Sequence, residues 1–340
     1  SSAQCGPTEA VARVVAVDRD RLLLMDQAGH FRAKLAGSFR HRLSHHLSGE
    51  LPCVGDWVCV EKQPGDGITL IHTLLPRRTR LRRRSAGDSV EFQMIAANVD
   101  YVVIVQSCHF DFNVKRLERY LVMARDGGAE PCLLLSKTDL VEPGVLESQL
   151  SEIRAAGITA PIITLSNVTH EGIDEFRRQL QPCKTYCFVG SSGVGKSTLI
   201  NHLLGRAVQD TRVVSGTGEG RHTTVRRELI LLEGGALVID NPGMREFGIL
   251  DADAGISGGF SDISSLASGC RFRDCTHTRE PGCAVLKAVK SGEISQAHYD
   301  NYKKLKDESE FYDMSLAQKR KKDRDFGRYI KSAKKDFRRR

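Results

Sequence analysis

Apolar and polar positions alternate in short bursts through the first 75 residues. Residues 10–17, 21–26, 30–35, 56–61 and 67–75 are β-prone runs separated by Gly, Asp and Pro. No helical period of useful length interrupts them, so a small β-barrel is predicted, of OB or SH3-like type. His41, His45 and His46 fall in a polar stretch and read as surface residues. Pro76 and the arginine-rich residues 77–84 read as a linker. From Asn98 the texture changes. Residues 101–105 and 132–135 are continuous apolar runs of the kind found in buried parallel strands. Between them, residues 114–125 place Leu117, Tyr120 and Leu121 on one helical face. Runs at 162–165, 186–189, 228–232 and 237–239 continue the series, which predicts a doubly wound α/β sheet. Residues 284–290 and 295–306 read as helices, with Tyr299, Tyr302 and Leu305 as a core stripe.

Composition sharpens this picture. A chain of 340 residues with 40% apolar and 27% charged residues is globular and long enough for two or three domains. The net charge of +8 is concentrated at the end: residues 319–340 hold twelve Lys or Arg against three Asp. That run reads as a nucleic-acid arm or a solvated tail. Six arginines within residues 77–84 would suit phosphate contacts beside an RNA-binding barrel. No apolar stretch is long enough to span a membrane, and residues 1–10 lack the pattern of a secretory leader. Seven of the ten cysteines are scattered, at Cys5, Cys53, Cys59, Cys108, Cys132, Cys183 and Cys187. This predicts reduced thiols in a cytoplasmic setting, with the other three cysteines in a metal site.

The chemistry centres on Gly190, Ser191, Ser192, Gly193, Val194, Gly195, Lys196 and Ser197. A β-prone run precedes this Gly-x4-Gly-Lys-Ser pattern, and Leu199, Ile200, Leu203 and Leu204 follow at helical spacing. Strand, glycine-rich loop and helix N-terminus cradle a polyphosphate on backbone N–H groups. Lys196 would reach the β/γ-phosphates and the Ser197 hydroxyl would coordinate Mg²⁺. Asp240-Asn241-Pro242-Gly243 resembles the Asp-x-x-Gly element, in which Asp240 holds Mg²⁺ through water and the Gly243 N–H senses the γ-phosphate. Ser136-Lys137-Thr138-Asp139 ends a strand and resembles the Asn-Lys-x-Asp loop of GTPases. There the Asp carboxylate accepts from guanine N1–H and N2–H₂, which adenine lacks. Ser166-Asn167 resembles a degenerate Ser-Ala base-contacting element, and Gly220-Arg221-His222-Thr223-Thr224 a switch segment. The order is base, base, phosphate, switch I, switch II, which is a circular permutation. Farther on, Cys270-x4-Cys275-x-His277-x5-Cys283 offers three thiolates and one imidazole, the closed set of a structural Zn²⁺ site.

Permuted order, His-Thr-Thr switch, Asp-x-Pro-Gly followed by Arg-Glu-Phe, and the cysteine-histidine spacing together resemble one family. It is the RsgA (YjeQ) family of circularly permuted GTPases of small ribosomal subunit biogenesis. The resemblance covers nearly the whole chain. It implies an N-terminal OB-type β-barrel with its basic linker (1–84), a circularly permuted P-loop α/β GTPase domain (85–249) and a C-terminal, mainly α zinc-binding domain with the basic tail (250–340). It implies GTP hydrolysis stimulated by the 30S subunit during late maturation, contact with 16S rRNA, and a cytoplasmic monomer without membrane attachment. GTP or GDP binding carries over onto Ser136, Lys137, Thr138, Asp139 and Ser166, the phosphate loop through Thr198, and Thr223, Thr224, Asp240 and Gly243. One zinc carries over onto Cys270, Cys275, His277 and Cys283. Ser136 stands where the family has Asn and loses an amide contact to the base. Asn241 replaces the usual Thr, and Val225 the switch's third threonine. Met244 occupies the position of the water-orienting Gln of Ras-like enzymes and cannot hydrogen-bond water. The resemblance gives that role to His222, with Lys196 as the other catalytic group. The rival readings are an RNA-binding zinc protein that keeps GTP as a structural or regulatory ligand, and an ATP-dependent small-molecule kinase, against which Asp139 and the zinc cluster argue.

Overall fold

The computed structural model describes residues 5–6, 8–18, 21–45, 51–62, 69–84, 92–110, 112–205, 227–240 and 253–313. Strands β1 (Ala10–Val17), β2 (Leu22–Asp26) and β3 (Gly29–Leu35) form an antiparallel meander. Helix α1 (Gly37–His45) then leads to β4 (Trp57–Lys62) and β5 (Thr69–Leu74). β3 pairs in parallel with β5, β5 antiparallel with β4, and β4 returns to β1, closing the ring. A five-stranded closed barrel in the order β1-β2-β3-β5-β4 is the OB arrangement and settles the choice between the two barrel types. Ala12, Val14, Leu24, Ala33, Val58 and Ile71 fill it. α1 departs from the sequence expectation, which placed His41 and His45 in a loop. Phe39 and Leu43, one helical turn apart, pack on the barrel core and stabilise a helix too short to announce itself.

The arginine run is a strand, not a linker. β6 (Arg80–Arg84) pairs antiparallel with β7 (Phe92–Ala97), because Leu81 within it is fully buried against the α/β core. A second departure concerns the scattered cysteines, since Cys5 and Cys59 are joined in a disulfide, Cα atoms 5.5 Å apart.

The α/β unit follows as β8 (Tyr101–Ser107), α2 (Val114–Asp126), β9 (Glu130–Ser136), α3 (Pro143–Ala155), β10 (Ile162–Leu165), α4 (Ile173–Gln179), β11 (Thr185–Val189) and α5 (Lys196–Leu204). The hairpin β12 (Glu228–Leu231) and β13 (Leu237–Asp240) completes it. The sheet order is β10-β9-β8-β11-β13-β12, parallel except for β12. The fourth strand of the unit in the chain, β11, thus lies in the middle, between β8 and β13, as the permuted motif order requires. Apolar clusters cover both faces of the sheet, one around Val102, Ile104 and Leu121, the other around Val103, Phe188 and Ile200. β1 is buried on both sides: Val14 faces the barrel core and Val15 the α/β core.

Among the described residues four helices follow: α6 (Asp253–Gly259), α7 (Ser261–Ala267), α8 (Ala284–Ser291) and α9 (Gln296–Asp313). Phe260, Ile263, Val285, Tyr302 and Leu305 form their own core, so the aromatic stripe is core as expected. α6 lies on α2 through Gly255 and Gly259. A Cβ on Gly255 would come within 2.4 Å of the Val122 carbonyl oxygen. Among the described residues no helix is long and apolar enough to cross a membrane.

Candidate functional site

The parallel strands deliver their carboxyl ends to one edge of the sheet, the place where ligands bind in doubly wound folds. Ser107, Ser136, Leu165, Val189 and Asp240 end their strands there. The loop after β11 begins at Gly190 (φ 145°), where a Cβ would sit 2.1 Å from the Val105 carbonyl oxygen; no other residue fits. The loop ends at Gly195 (φ 97°), the residue before α5. Lys196 is buried, and its Nζ donates to the carbonyls of Gly190 (2.8 Å) and Ser191 (2.7 Å). Ser197 and Thr198 occupy the first turn of α5. Such a loop at a helix N-terminus can take a phosphate, with the Lys196 ammonium poised over it.

Two neighbouring loops are fastened to it. Ser136 Oγ donates to Val194 O at 2.6 Å, and Asn167 Nδ2 donates to Gly195 O at 3.0 Å. After Ser136 the chain turns sharply at Lys137 (φ 61°) into a 3-10 turn, Thr138–Leu140. Lys137 Nζ lies 4.7 Å above the ring of exposed Phe110. The buried Ser166 hydroxyl donates to Asp139 Oδ1 (2.5 Å) and accepts from the N–H groups of Val168 and Thr169. That network orients the Asp139 carboxylate from a neighbouring loop. Asp240 ends β13 fully buried, beside Phe188 of β11. Ser136, Lys137, Thr138, Asp139, Ser166, the residues from Gly190 to Thr198 and Asp240 therefore gather at one edge. His222, Thr223, Thr224 and Gly243 lie outside the described residues, as do Val225, Asn241, Met244 and the basic tail.

The Cys270, Cys275, His277 and Cys283 donor atoms all lie within 4.8 Å of one another. Cys270 Sγ is 3.8 Å from Cys283 Sγ and 3.5 Å from His277 Nδ1, which is 3.4 Å from Cys283 Sγ. Tetrahedral zinc, with bonds of about 2.3 Å to sulfur and 2.0 Å to nitrogen, spaces its ligands by roughly 3.5–3.8 Å, so the set fits the ion. Backbone N–H groups of Ala284 and Leu286 point at Cys270 and Cys283 Sγ, as thiolates require. Burial, helped by the Lys306 charge, lowers the His277 pKa and keeps the imidazole in its neutral, ligating form. Tyr299 Oη donates to His277 O, and Glu280 accepts from the backbone of Thr276, Thr278 and Arg279. The knuckle is thus braced from two directions.

With this geometry in hand, comparison with known proteins is decisive. A family model described as RsgA GTPase matches residues 74–250. The small ribosomal subunit biogenesis GTPase RsgA of Opitutus terrae is 42% identical over 310 residues, which cover 88% of this chain and 83% of that protein. The chain belongs to the RsgA GTPase family. YjeQ of Thermotoga maritima superposes with a TM-score of 0.65 at 26% identity, over 87% of this chain and 97% of that one. YloQ, a circularly permuted GTPase, gives a TM-score of 0.61 at 24% identity over 88% and 96%, and at that identity supports the fold.

Within this RsgA-family chain, Arg116 and Glu118 carried no motif, and Asn167 only its place in the degenerate Ser-Ala element. Arg116, in the first turn of α2, donates to Ser191 Oγ of the phosphate loop at 2.7 Å. Asn167 anchors Gly195, and its sequence signal was only its place after Ser166. Glu118, on the same helix as Arg116, is buried against His298 and Asn301 of α9. Helical spacing places residues 116, 117 and 118 on different faces, which is how α2 serves the loop, the core and the C-terminal helices at once.

Proposed function

We propose that this chain hydrolyses GTP to GDP and phosphate in the late maturation of the small ribosomal subunit. The reading rests on one observation: the phosphate loop, the Ser136–Asp139 loop and Asp240 meet at one sheet edge in a chain of the RsgA GTPase family. Asp139, held by Ser166, would accept from the guanine N1–H and N2–H₂, and the Lys137 stem would pack on the base. Lys196 would exchange two carbonyl oxygens for oxygens of the β- and γ-phosphates, while loop N–H groups cradle the rest. Ser197 and Asp240 would hold Mg²⁺, which neutralises charge on the transferring phosphoryl group. Thr223, Thr224 and the Gly243 N–H would close on the γ-phosphate. His222 would orient the attacking water. The water oxygen bonds to the γ-phosphorus as the bond to the β–γ bridging oxygen breaks; GDP leaves and the water's proton passes to solvent.

The cysteine cluster would hold one structural zinc, with no open position for catalysis. The barrel, the arginine strand and the basic tail supply phosphate contacts to 16S rRNA, as a cytoplasmic monomer meeting the 30S subunit needs. GTP turnover with and without 30S subunits tests the reading. We expect slow turnover alone and strong stimulation on the subunit, with His222→Ala removing the stimulation and sparing GTP affinity. GTP binding without turnover on 30S subunits would reduce the nucleotide to a ligand.

A further inference from the structure

Where the family pattern puts an amide at the head of the base-reading loop, this chain has Ser136. Its hydroxyl hydrogen is committed to Val194 O at 2.6 Å, and the residue is only 1% exposed. Ser136 can steady the phosphate loop but has no N–H to offer a base. One residue farther along that loop, Gly195 O accepts from Asn167 Nδ2, where the corresponding Ser-Ala pattern carries a methyl group. The approach is close: a Cβ on Gly195 would lie 2.6 Å from that nitrogen. The Asn167 backbone is fixed in turn by a 3.1 Å hydrogen bond between its carbonyl and His202 Nε2. Asn167 Oδ1 is buried without a hydrogen-bond partner among the described residues. An amide oxygen is an acceptor and is not completed by another acceptor, so what this carboxamide can offer an acceptor edge is its nitrogen. A carboxamide nitrogen carries two N–H groups, and only one is needed for Gly195.

We propose that Asn167 supplies the carboxamide that Ser136 lacks and reads the acceptor edge of the guanine base. The inference rests on the assignment of this site to guanine nucleotides. Asp139 satisfies the N1–H and N2–H₂ edge, which leaves O6 and N7, both acceptors, on the other side of the ring. A donor is required there. Ser136 and Asn167 hang from consecutive carbonyls of one loop, so the second N–H of Asn167 enters beside the position an asparagine at 136 would have used. The amide has moved from one base loop to the other while its anchor, the phosphate loop, is unchanged.

Equilibrium binding of GDP, ADP and two analogues tests this: 7-deaza-GDP, which lacks the N7 acceptor, and 6-thio-GDP, whose sulfur accepts poorly. The full chain should prefer GDP to ADP and bind at least one analogue about three- to tenfold more weakly than GDP, the range of one hydrogen bond. Asn167→Ala should weaken GDP by a similar factor and erase the analogue penalty. Adding Ser136→Asn to Asn167→Ala should restore both, which also shows that the single variant is folded. A uniform loss for GDP and both analogues in Asn167→Ala would make the residue a loop brace and overturn the proposal. An analogue penalty that survives in Asn167→Ala, or is absent from the unaltered chain, would also overturn it. Equal binding of ADP and GDP by the unaltered chain would instead sink the guanine assignment itself. A GDP preference abolished by Asp139→Ala keeps that assignment whatever Asn167 does.

Discussion

The α/β core is joined to its neighbours by two seams built on different chemistry. On the barrel side the joint is largely backbone. β1 pairs with β12 at Ala16 and Glu228, and the Ala97 N–H donates to the carbonyl of Val54. Buried Arg13 reaches across to Gly55 O (3.2 Å), Asn98 O (3.1 Å) and Thr185 Oγ1 (2.9 Å). Burial lowers its pKa to about 10 against the pull of Asp100, so its charge persists at every physiological pH. On the other side the joint is helix on helix, α6 and α9 against α2. His298 bridges Glu118 and Asp262, Asn301 donates to Glu118, and Arg119 forms a two-pronged pair with Glu308 at 2.8 Å. Here the central group titrates. One seam is fixed by strand pairing and a permanent cation, whereas the other depends on proton occupancy and on a folded helical cluster. Each is next in sequence to a proposed switch: β12 begins after residues 220–224 and α6 after residues 241–243. A ribosome pulling on either neighbour would reach the nucleotide through a different kind of joint.

Metal removal should break the comparison most severely. Structural zinc contributes roughly 10–16 kcal/mol in isolated fingers. Chelation or Cys275→Ser should therefore unfold α7 to α9 and release α2, seen as lost helical signal and lost amide protection. Barrel protection and nucleotide binding should persist. Coincident loss of protection in β1 would show that the two seams act as one.

Next in size is Glu118→Ala. It strips His298 of one carboxylate and Asn301 of its acceptor inside a closed interface. Breaking a buried pair from one side costs about 3–5 kcal/mol. Denaturant unfolding should show that loss, with the C-terminal helices going first. The matching cut on the barrel side, Arg13→Met, leaves two acceptors short of a donor. It should cost about 1–3 kcal/mol.

How far these seams could be foreseen differs from how far the site could. The phosphate loop was legible because strand, glycines, lysine and helix lie within a dozen residues, and the cysteine-histidine cluster because residue type alone marks it. Barrel type depended on the parallel β3–β5 pair, a contact between distant segments that no local pattern encodes. Leu81 alone turned an arginine run into a strand, and one leucine among arginines carries no period. Phe39 and Leu43 did the same for α1. Glu118 looked like any helix-surface acid, and only the arrival of α9 buries it. Asn167 was visible as a residue, but its bond to Gly195 joins loops 28 positions apart.

The titration of His298 gives the third test. Burial opposes its charge, but hydrogen bonds and charges from Asp262 and Glu118 outweigh that and raise its pKa to about 9. A folded pKa above the unfolded value near 6.5 means that the contribution is fully present below pH 6.5. It fades as pH rises towards 9. The window spans on the order of 3 kcal/mol. Stability measured from pH 6 to 9.5 should decline, and His298→Gln should flatten that slope. An unchanged slope would assign the decline to other groups.

The smallest effect separates charge from backbone at the barrel seam. Arg78 Nη2 lies 3.3 Å from Asp100 Oδ1, but the side chain is 70% exposed and Asp100 keeps Lys184 Nζ (3.3 Å) and Thr185 N (2.9 Å). What Arg78 gives the seam is its own backbone N–H, which donates to Asn98 Oδ1 at 2.9 Å. That bond survives any side-chain replacement and holds Asn98 in its left-handed conformation (φ 54°) beside Gly55. Arg78→Ala should therefore change stability by about 0.5 kcal/mol or less, as exposed pairs do. The small loss should vanish in high salt. Asn98→Ala, which removes the acceptor for that N–H and the donor to Gly55 O, should cost several times more and be indifferent to salt. If Arg78→Ala proved the more damaging of the two, the barrel would be held by surface charge. Both seams would then yield to the same solution conditions.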